Sequence, residues 1–571
     1  MGGMTGQWPA VTLGQAQAIL TAPGARFEME ERTIRGEVTR VWKNAPPAMP
    51  DLVAIARTHG QRLFAVYEDE RVTYDAFYRA TAAFAAYLVD RGVKKGDRVA
   101  LALRNLPEWA VIYCAAACVG AIAVPLNAWW TGVELDYGLA DSGARLLVCD
   151  GERHERIAPH LPALPALEQV IVCRGAKGPQ SLEGIIGRSG EWALLPDLDL
   201  PPADLSPDDD MSIFYTSGTT GNPKGALGTH RNALTNPLSS AYSAARSILR
   251  RGEAIPAPVP KVNLLVIPLF HVTACNAGLM AALASGSTLV MMRKWDALKA
   301  LELIEREKVT TTGGVPTIAW QILEHPERHR FDLSSLESIA YGGAPSAPEL
   351  VRQIAGELKA VPGNGWGMTE TSATFTHHAA EDYLNRPDSC GPPVAVADLK
   401  IMSLDGSHEL PTGEVGELWA KGPQVVKGYW NNPQATAASF IDGWVKTGDL
   451  ARVDAEGFCY IVDRAKDIII RGGENIYSIE VENVLYDYPG VTDAALIGLP
   501  HRTLGEVPAA VIHLAPGARA APEELLAFLR TRLAPFKVPV RIVFQTRTLP
   551  RNANGKIMKK DLQALFTETA A

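Results

Sequence analysis

Short, nearly continuous apolar runs recur along the chain: RVALAL, RLLVCD, EQVIVC, SIFYTSG, NLLVIPL and STLVMM. Helical patterns such as ALKALELIEREK and APELVRQIAGELK lie between some of them. Strand-like runs alternating with helices predict an α/β architecture with mainly parallel sheets. Residues 110–124 form the longest apolar stretch and end at Pro125. That is short of the ~20 residues needed to span a bilayer, so it reads as a buried helix. The stretch LLPDLDLPPADLSPDDD before Met211 is rich in Pro and Asp and reads as an exposed connector. After VKTGDLARVDAEGFCYIVDRAKD the pattern changes to short strands with two helical runs, SIEVENVLYDY and PEELLAFLRTRL. A domain boundary is therefore expected at 463–467, with a large domain over 1–463 and a small α+β domain over 467–571.

Length and charge narrow the class. A chain of 571 residues is too long for one core. The net charge of -8, from 55 Lys+Arg against 63 Asp+Glu, disfavours nucleic acid as the main partner. The 7 cysteines are scattered. Cys114 and Cys118 sit one helical turn apart without a nearby His, so they read as small apolar core residues and not metal ligands. A reducing, cytoplasmic setting fits, and the N-terminus lacks the order of a signal peptide.

The stretch YTSGTTGNPKGALGTH concentrates Gly, Thr and Ser around Lys224. Aligned on Lys224 as a Walker loop, it has Pro223 where the second glycine belongs and Gly225 where the Ser/Thr belongs. Pro offers no N–H and Gly no hydroxyl, which excludes that loop. Gly218 and Gly221 still permit a nest of N–H groups, with Ser217, Thr219 and Thr220 as further donors. With MSIF before it and THRNALTN after it, the loop is expected between a strand and a helix, where α/β proteins hold phosphates.

Five further segments combine glycine turns with hydroxyl, acidic or basic groups: YGGAPS, NGWGMTET, GWVKTGDL, DRAKDIIIRGGENIYSIEVE and LPRNANGKIMKK. In this order the six motifs resemble the adenylate-forming superfamily of acyl-CoA synthetases, 4-coumarate-CoA ligases, luciferases and peptide-synthetase adenylation domains. The resemblance covers nearly the whole chain. It implies ATP, Mg²⁺ and coenzyme A as reaction partners, with a small-molecule carboxylic acid converted to acyl-AMP plus pyrophosphate and then to acyl-CoA plus AMP.

The same resemblance implies roles for individual residues. Thr216, Ser217, Gly218, Thr219, Thr220, Gly221 and Lys224 match the loop that holds the β- and γ-phosphates. Thr369 matches the hydroxyl at the α-phosphate, and Glu370 the Mg²⁺ carboxylate. Trp366, with Gly367, matches the aromatic that stacks on adenine. Gly343, Ala344 and Pro345 match the turn bordering that base. Asp449 matches the ribose-binding carboxylate and Arg464 a basic group near ribose and phosphate. Lys556 matches the adenylation lysine and Lys466 the hinge. Gly472 and Gly473 match the loop along the pantetheine tunnel. His271 matches a position at the inner end of the acyl site, whose walls are expected from Gly278, Gly313, Tyr341 and Gly342. No charge falls within HVTACNAGLMAAL after His271 or within GGVPTIAWQIL, which favours a fatty or bulky aryl acid over an amino acid. The alternatives are a ligase that loads the acyl group onto a carrier protein and a non-catalytic nucleotide sensor. A homodimer and a peripheral position at the membrane remain open at this level.

Overall fold

The computed structural model describes residues 8–175, 180–216, 222–342, 348–472, 474–515, 517–552 and 557–567. Two large sheets dominate. The eight-stranded sheet runs, in spatial order, Thr376–Ala379, Val361–Trp366, Ser338–Gly342, Thr311–Gly314, Val262–Leu265, Thr288–Met291, Leu63–Tyr67 and Glu70–Thr73. Its six inner strands are parallel, and the two edge strands are antiparallel to them. The six-stranded sheet runs Gly225–Thr229, Asp210–Tyr215, Ile122–Pro125, Arg98–Ala102, Leu146–Asp150 and Gln169–Cys173. It is parallel except for its first strand. The expectation of mainly parallel sheets is met. Parallel strands place all their C-terminal ends on one rim, where open α/β sheets bind ligands. Asn105, just beyond Arg98–Ala102, donates from Nδ2 to Ile267 O (3.0 Å) and accepts from Leu269 N (2.8 Å). The rims of the two sheets are thereby joined.

A third, antiparallel sheet holds Asp398–Met402, Gly416–Lys421, Phe440–Ile441, Trp444–Val453 and Cys459–Arg464. The last sheet begins at Ile469–Arg471 and includes Glu474–Ile476, Val491–His501, Gly505–Leu514 and Arg541–Gln545. The change of sheet falls between Arg464 and Ile469, within the stretch where the sequence pattern changes. An antiparallel hairpin, Met29–Ile34 with Glu37–Trp42, also precedes the large sheets.

Two local readings need correction. Residues 110–124 are not one helix. The helix Pro107–Cys118 stops, Gly120 turns at φ +79°, and Ile122–Pro125 is a central strand. A side chain at Gly120 would crowd Lys95 and Leu205 as well as strain the backbone, so this glycine ends the helix. The glycine loop after Tyr215 does not lead into a helix. It joins two antiparallel strands, Asp210–Tyr215 and Gly225–Thr229. The helix His230–Arg250 starts only afterwards, with Thr229 and Asn232 forming its capping box. The helix therefore starts at the far end of Gly225–Thr229 from the loop.

Among the described residues no helix is long and apolar enough to cross a membrane.

Candidate active site

The site assembles on the joined rims. Thr216 N donates to Lys224 O (2.9 Å), and Lys224 N donates to Thr216 Oγ1 (3.3 Å). These bonds close the base of the hairpin loop and fix where Lys224 leaves it. Ser217, Gly218, Thr219, Thr220 and Gly221 lie outside the described residues, as do Gly343, Ala344, Pro345, Gly473 and Lys556.

Glu370 sits in a single turn of 3-10 helix, Thr369–Thr371, and is buried. Tyr429 donates its hydroxyl to Glu370 Oε1 at 2.7 Å. The Lys224 ammonium lies 4.8 Å from the centre of the same tyrosine ring. Burial pushes the Glu370 carboxyl up from its ordinary range, and the Tyr429 hydroxyl, Arg464 and Lys224 pull it back down. A buried carboxylate with two cations in range and one oxygen held by a neutral donor suits a hard divalent cation shared with phosphate oxygens. Tyr429 was not legible in the sequence. It arrives because Leu227 N bonds Gly428 O (2.9 Å) and Trp430 N bonds Gly225 O (2.7 Å), pinning residues 428–430 along the hairpin.

Beside this group lies a second. Arg464 faces Asp449 across adjacent antiparallel strands, with Arg464 Nε 3.0 Å from Asp449 Oδ1. Trp366 donates its indole N–H to Asp449 Oδ2 at 2.8 Å. Asp449 is 4% exposed. Each carboxylate oxygen can accept more than one hydrogen bond, so both remain usable by a ligand diol. Arg464 belongs to both groups, since its charge also acts on Glu370.

The turn that carries these residues is strained. Ser372 and Ala373 have φ of 53° and 102°. Two asparagines hold it: Asn236 Nδ2 (2.8 Å) and Asn276 Nδ2 (3.2 Å) both donate to Ser372 O, and Thr374 N donates back to Asn236 Oδ1 (3.0 Å). Any side chain at Gly367 would overlap the Ala373 carbonyl, so the glycine is required by the backbone path. Strain held by buried partners is a mark of functional turns.

His271 leads into a π-helix, Thr273–Leu279. It is half-buried, and its Nε2 is covered yet has no hydrogen-bond partner among the described residues. Burial pushes its imidazole down to about 3, so it is neutral at physiological pH. A Cβ at Gly278 would make only ordinary contacts, 3.6 Å to Leu265 Cδ1 and 3.8 Å to Thr273 O. Gly313, Ala340 and Gly363 lie side by side in register on neighbouring strands. Ala340 is exposed and Gly342, two residues on, shares its face. Tyr341 is the exception among the expected pocket walls. Its side chain points to the other face of the sheet, bonds Tyr383 (2.9 Å between hydroxyls) and packs in the core. Strand alternation puts neighbours on opposite faces, so Ala340 takes the place that the motif suggested for Tyr341.

Arg464 is the last residue of its strand, and Lys466 lies in the turn that follows. Gly472 takes the left-handed conformation (φ +61°) where Ile469–Arg471 turns back toward Glu474–Ile476.

The "AMP-binding enzyme" family profile matches residues 52–430, and the "AMP-binding enzyme C-terminal domain" profile matches residues 480–556. The chain belongs to the AMP-binding enzyme family. It is 38% identical over 495 residues to a feruloyl-CoA synthase of an Amycolatopsis species, covering 87% of this chain and 94% of that one. With the long-chain-fatty-acid–CoA ligase FadD13 of Mycobacterium tuberculosis it shares 33% over 503 residues, 88% and 94% of the two chains. Among solved structures, o-succinylbenzoate CoA synthetase of Bacillus subtilis with its acyl-adenylate intermediate superposes with a TM-score of 0.75 at 30% identity, over 90% of this chain and 98% of that one. The reaction class follows: the chain is an AMP-forming acyl-CoA synthetase that uses ATP, Mg²⁺ and coenzyme A.

Proposed function

We propose that this synthetase activates apolar acids of some bulk, medium-to-long fatty acids or substituted aryl acids. The observation that carries the reading is the small-residue floor at Gly313, Ala340 and Gly342, with an exposed Ala340 among otherwise buried strands. The uncharged segment after His271 and the absence of a clash for a Cβ at Gly278 are consistent with it. Two of the relatives named above are named for such acids, one for feruloyl and one for long-chain fatty acids.

In this reading the chain's residues divide the work. Lys224 and the hairpin loop hold the outer phosphates. Glu370, whose carboxyl Tyr429 and the two cations pull down against the upward push of burial, would hold Mg²⁺, which neutralises the departing pyrophosphate when bound. Thr369 meets the α-phosphate. Asp449 accepts the ribose hydroxyls while Trp366 and Arg464 hold it still. Lys556 brings a positive charge between the carboxylate and the α-phosphate, where two anions must meet. Lys466 is the hinge about which residues 467–571 turn, so that the loop at Gly472 and Gly473 replaces Lys556 at the site for thioester formation. His271, neutral and covered, lies at the inner end of the acyl site.

The test is a coenzyme-A-dependent AMP-release screen over straight-chain, branched and aryl acids, run with Lys556→Ala beside the wild type. Activity should climb from acetate to octanoate or peak at an aryl acid. The variant should lose acyl-AMP formation by ~10²–10³-fold yet still convert supplied acyl-AMP. Preference for acetate or an amino acid would overturn the substrate reading. Normal ATP–pyrophosphate exchange in the variant would overturn the role of Lys556.

A further inference from the structure

The hairpin of Met29–Ile34 and Glu37–Trp42 lies before residues 52–430, the region that the larger family profile matches. Ile34 pairs with Glu37, so Arg35 and Gly36 alone make the turn. Both take left-handed backbone, with φ of 51° and 86°. Two-residue turns of this kind favour Asn, Asp or Gly at the first position, and an arginine there is uncommon. The guanidinium shows what the arginine is for. Its Nη1 donates to Val426 O (2.7 Å) and its Nη2 to Val425 O (2.9 Å). Val425 and Val426 are 1% and 2% exposed, so their carbonyls depend on protein donors. The hairpin is itself fastened. Lys421 pairs with Glu37 (2.9 Å), Arg40 pairs with Asp398, and Trp42 Nε1 donates to Ser239 Oγ (3.0 Å) in the helix His230–Arg250. The arginine therefore reaches out from a fixed base.

The segment it grips meets Glu370 twice. Val426 N donates to Glu370 O (3.0 Å), and three residues on the Tyr429 hydroxyl bonds the Glu370 carboxylate. Between these contacts Lys427 N donates to Leu227 O (2.9 Å), and Gly428 O accepts from Leu227 N (2.9 Å). Asn232 Nδ2 holds the start of the segment through Pro423 O (2.7 Å) and Val425 O (3.0 Å). Residues 425–429 thus bracket Glu370, with its main chain at one end and its carboxylate at the other. Val426 accepts from Arg35 and donates to Glu370, so a displacement of this one peptide reaches Glu370 directly.

We propose that Arg35 is a positioning residue for the Glu370–Tyr429 pair: its fork sets the segment 425–429, and through it the direction of the Glu370 carboxylate toward the metal-bound nucleotide. A charge-assisted fork on two adjacent carbonyls fixes both the place and the rotation of the chain it holds. The proposal rests on the reading of Glu370 as the Mg²⁺ carboxylate.

The experiment measures binding, without turnover. Calorimetry gives the affinity for ATP with Mg²⁺ and with excess EDTA, in the absence of any acid, for the wild type, Arg35→Met, Arg35→Lys, Arg40→Ala and Glu370→Gln. The ratio of the two affinities should fall about tenfold in Arg35→Met, the value of a lost bond to a charged group. Arg35→Lys, which keeps the charge but not the fork, should recover part of the ratio. Arg40→Ala loosens the same hairpin at Asp398 and should keep the wild-type ratio. Thioester formation from supplied acyl-AMP needs no metal-bound ATP, so Arg35→Met should retain it, which also verifies the fold. A wild-type ratio in Arg35→Met beside a lost one in Glu370→Gln would overturn the role of Arg35 alone. An equal fall in Arg40→Ala, or loss of thioester formation in Arg35→Met, would show that the hairpin serves only folding and would overturn it as well. A wild-type ratio in Glu370→Gln would instead remove the metal reading of Glu370, and the proposal with it.

Discussion

The indole N–H of Trp366 donates to Asp449 Oδ2 at 2.8 Å, while Arg464 Nε lies 3.0 Å from Oδ1. The carboxylate is thus held from both sides before any nucleotide arrives. A group fixed in advance spends less entropy on binding. Trp366→Phe keeps an aromatic face but removes the donor. Its KM for ATP in pyrophosphate exchange should rise about tenfold, the value of one hydrogen bond to a charged group, with kcat little altered. An unchanged KM would mean that Arg464 alone positions Asp449.

Tyr429→Phe tests the role proposed for Glu370 as the metal carboxylate. The hydroxyl bonds the ionised form of Glu370 and counters the upward push of burial. Its removal must raise that carboxyl further. The acidic limb of kcat/KM for ATP should therefore move to higher pH, with the alkaline side unaltered. Because the metal and the proton compete for the same carboxylate, extra Mg²⁺ should move the limb back. The phenyl ring still faces Lys224, so a shift that ignores Mg²⁺ would point to the lysine instead.

The proposed acyl pocket can be probed by two glycines with opposite expectations. Gly278→Leu places its Cβ in ordinary contact, 3.6 Å from Leu265 Cδ1, without a clash, and should fold normally. It should shift the preferred acid toward shorter or narrower ones, by about 0.8 kcal/mol for each methylene displaced. A Cβ at Gly313 would overlap the Ala340 carbonyl oxygen on the next strand. Gly313→Ala should lower Tm and depress turnover of all acids alike. An unaltered acid profile in Gly278→Leu would move that segment out of the pocket.

How far these features were legible in the sequence depended on the range of the interactions. Helices with a one-sided apolar stripe, such as Ala297–Glu307 and Pro522–Arg530, were legible because their period is local. The motif residues Trp366, Glu370, Asp449 and Arg464 were legible as a set through the family resemblance, and the structure brings them together. Tyr429 and Asn236 were not, since their partners lie 59 and 136 residues away and no local spacing marks them. The face of Tyr341 was not legible because SIAYG carries only small and apolar residues around it, so no charged position marks the open face, although in the structure Ala340 is exposed and Tyr341 buried. The hairpin after Tyr215 was taken for a strand–helix turn because Thr229 and Asn232 do start a helix, one strand later.

Asp463 links the end of the third sheet to the last one and supplies a test by pH. It is buried, and its Oδ1 accepts from Arg464 N at 2.7 Å. Its Oδ2 accepts from Ser478 N, at the start of the helix Ser478–Tyr486. Burial pushes its carboxyl up to about 6, although Lys559 and the two backbone donors pull it down. A carboxyl raised in the folded chain binds its proton more tightly there than in the unfolded chain, where about 3.9 is usual. Its contribution to stability is full below about 4 and is lost as pH rises through about 6. Asp463→Asn cannot titrate, so this slope should vanish from the variant. The Tm of the wild type relative to Asp463→Asn should therefore fall between pH 4 and 6.5 and level off above. Parallel profiles would show that Asp463 titrates in its ordinary range and that the link across residues 463–478 carries no pH dependence.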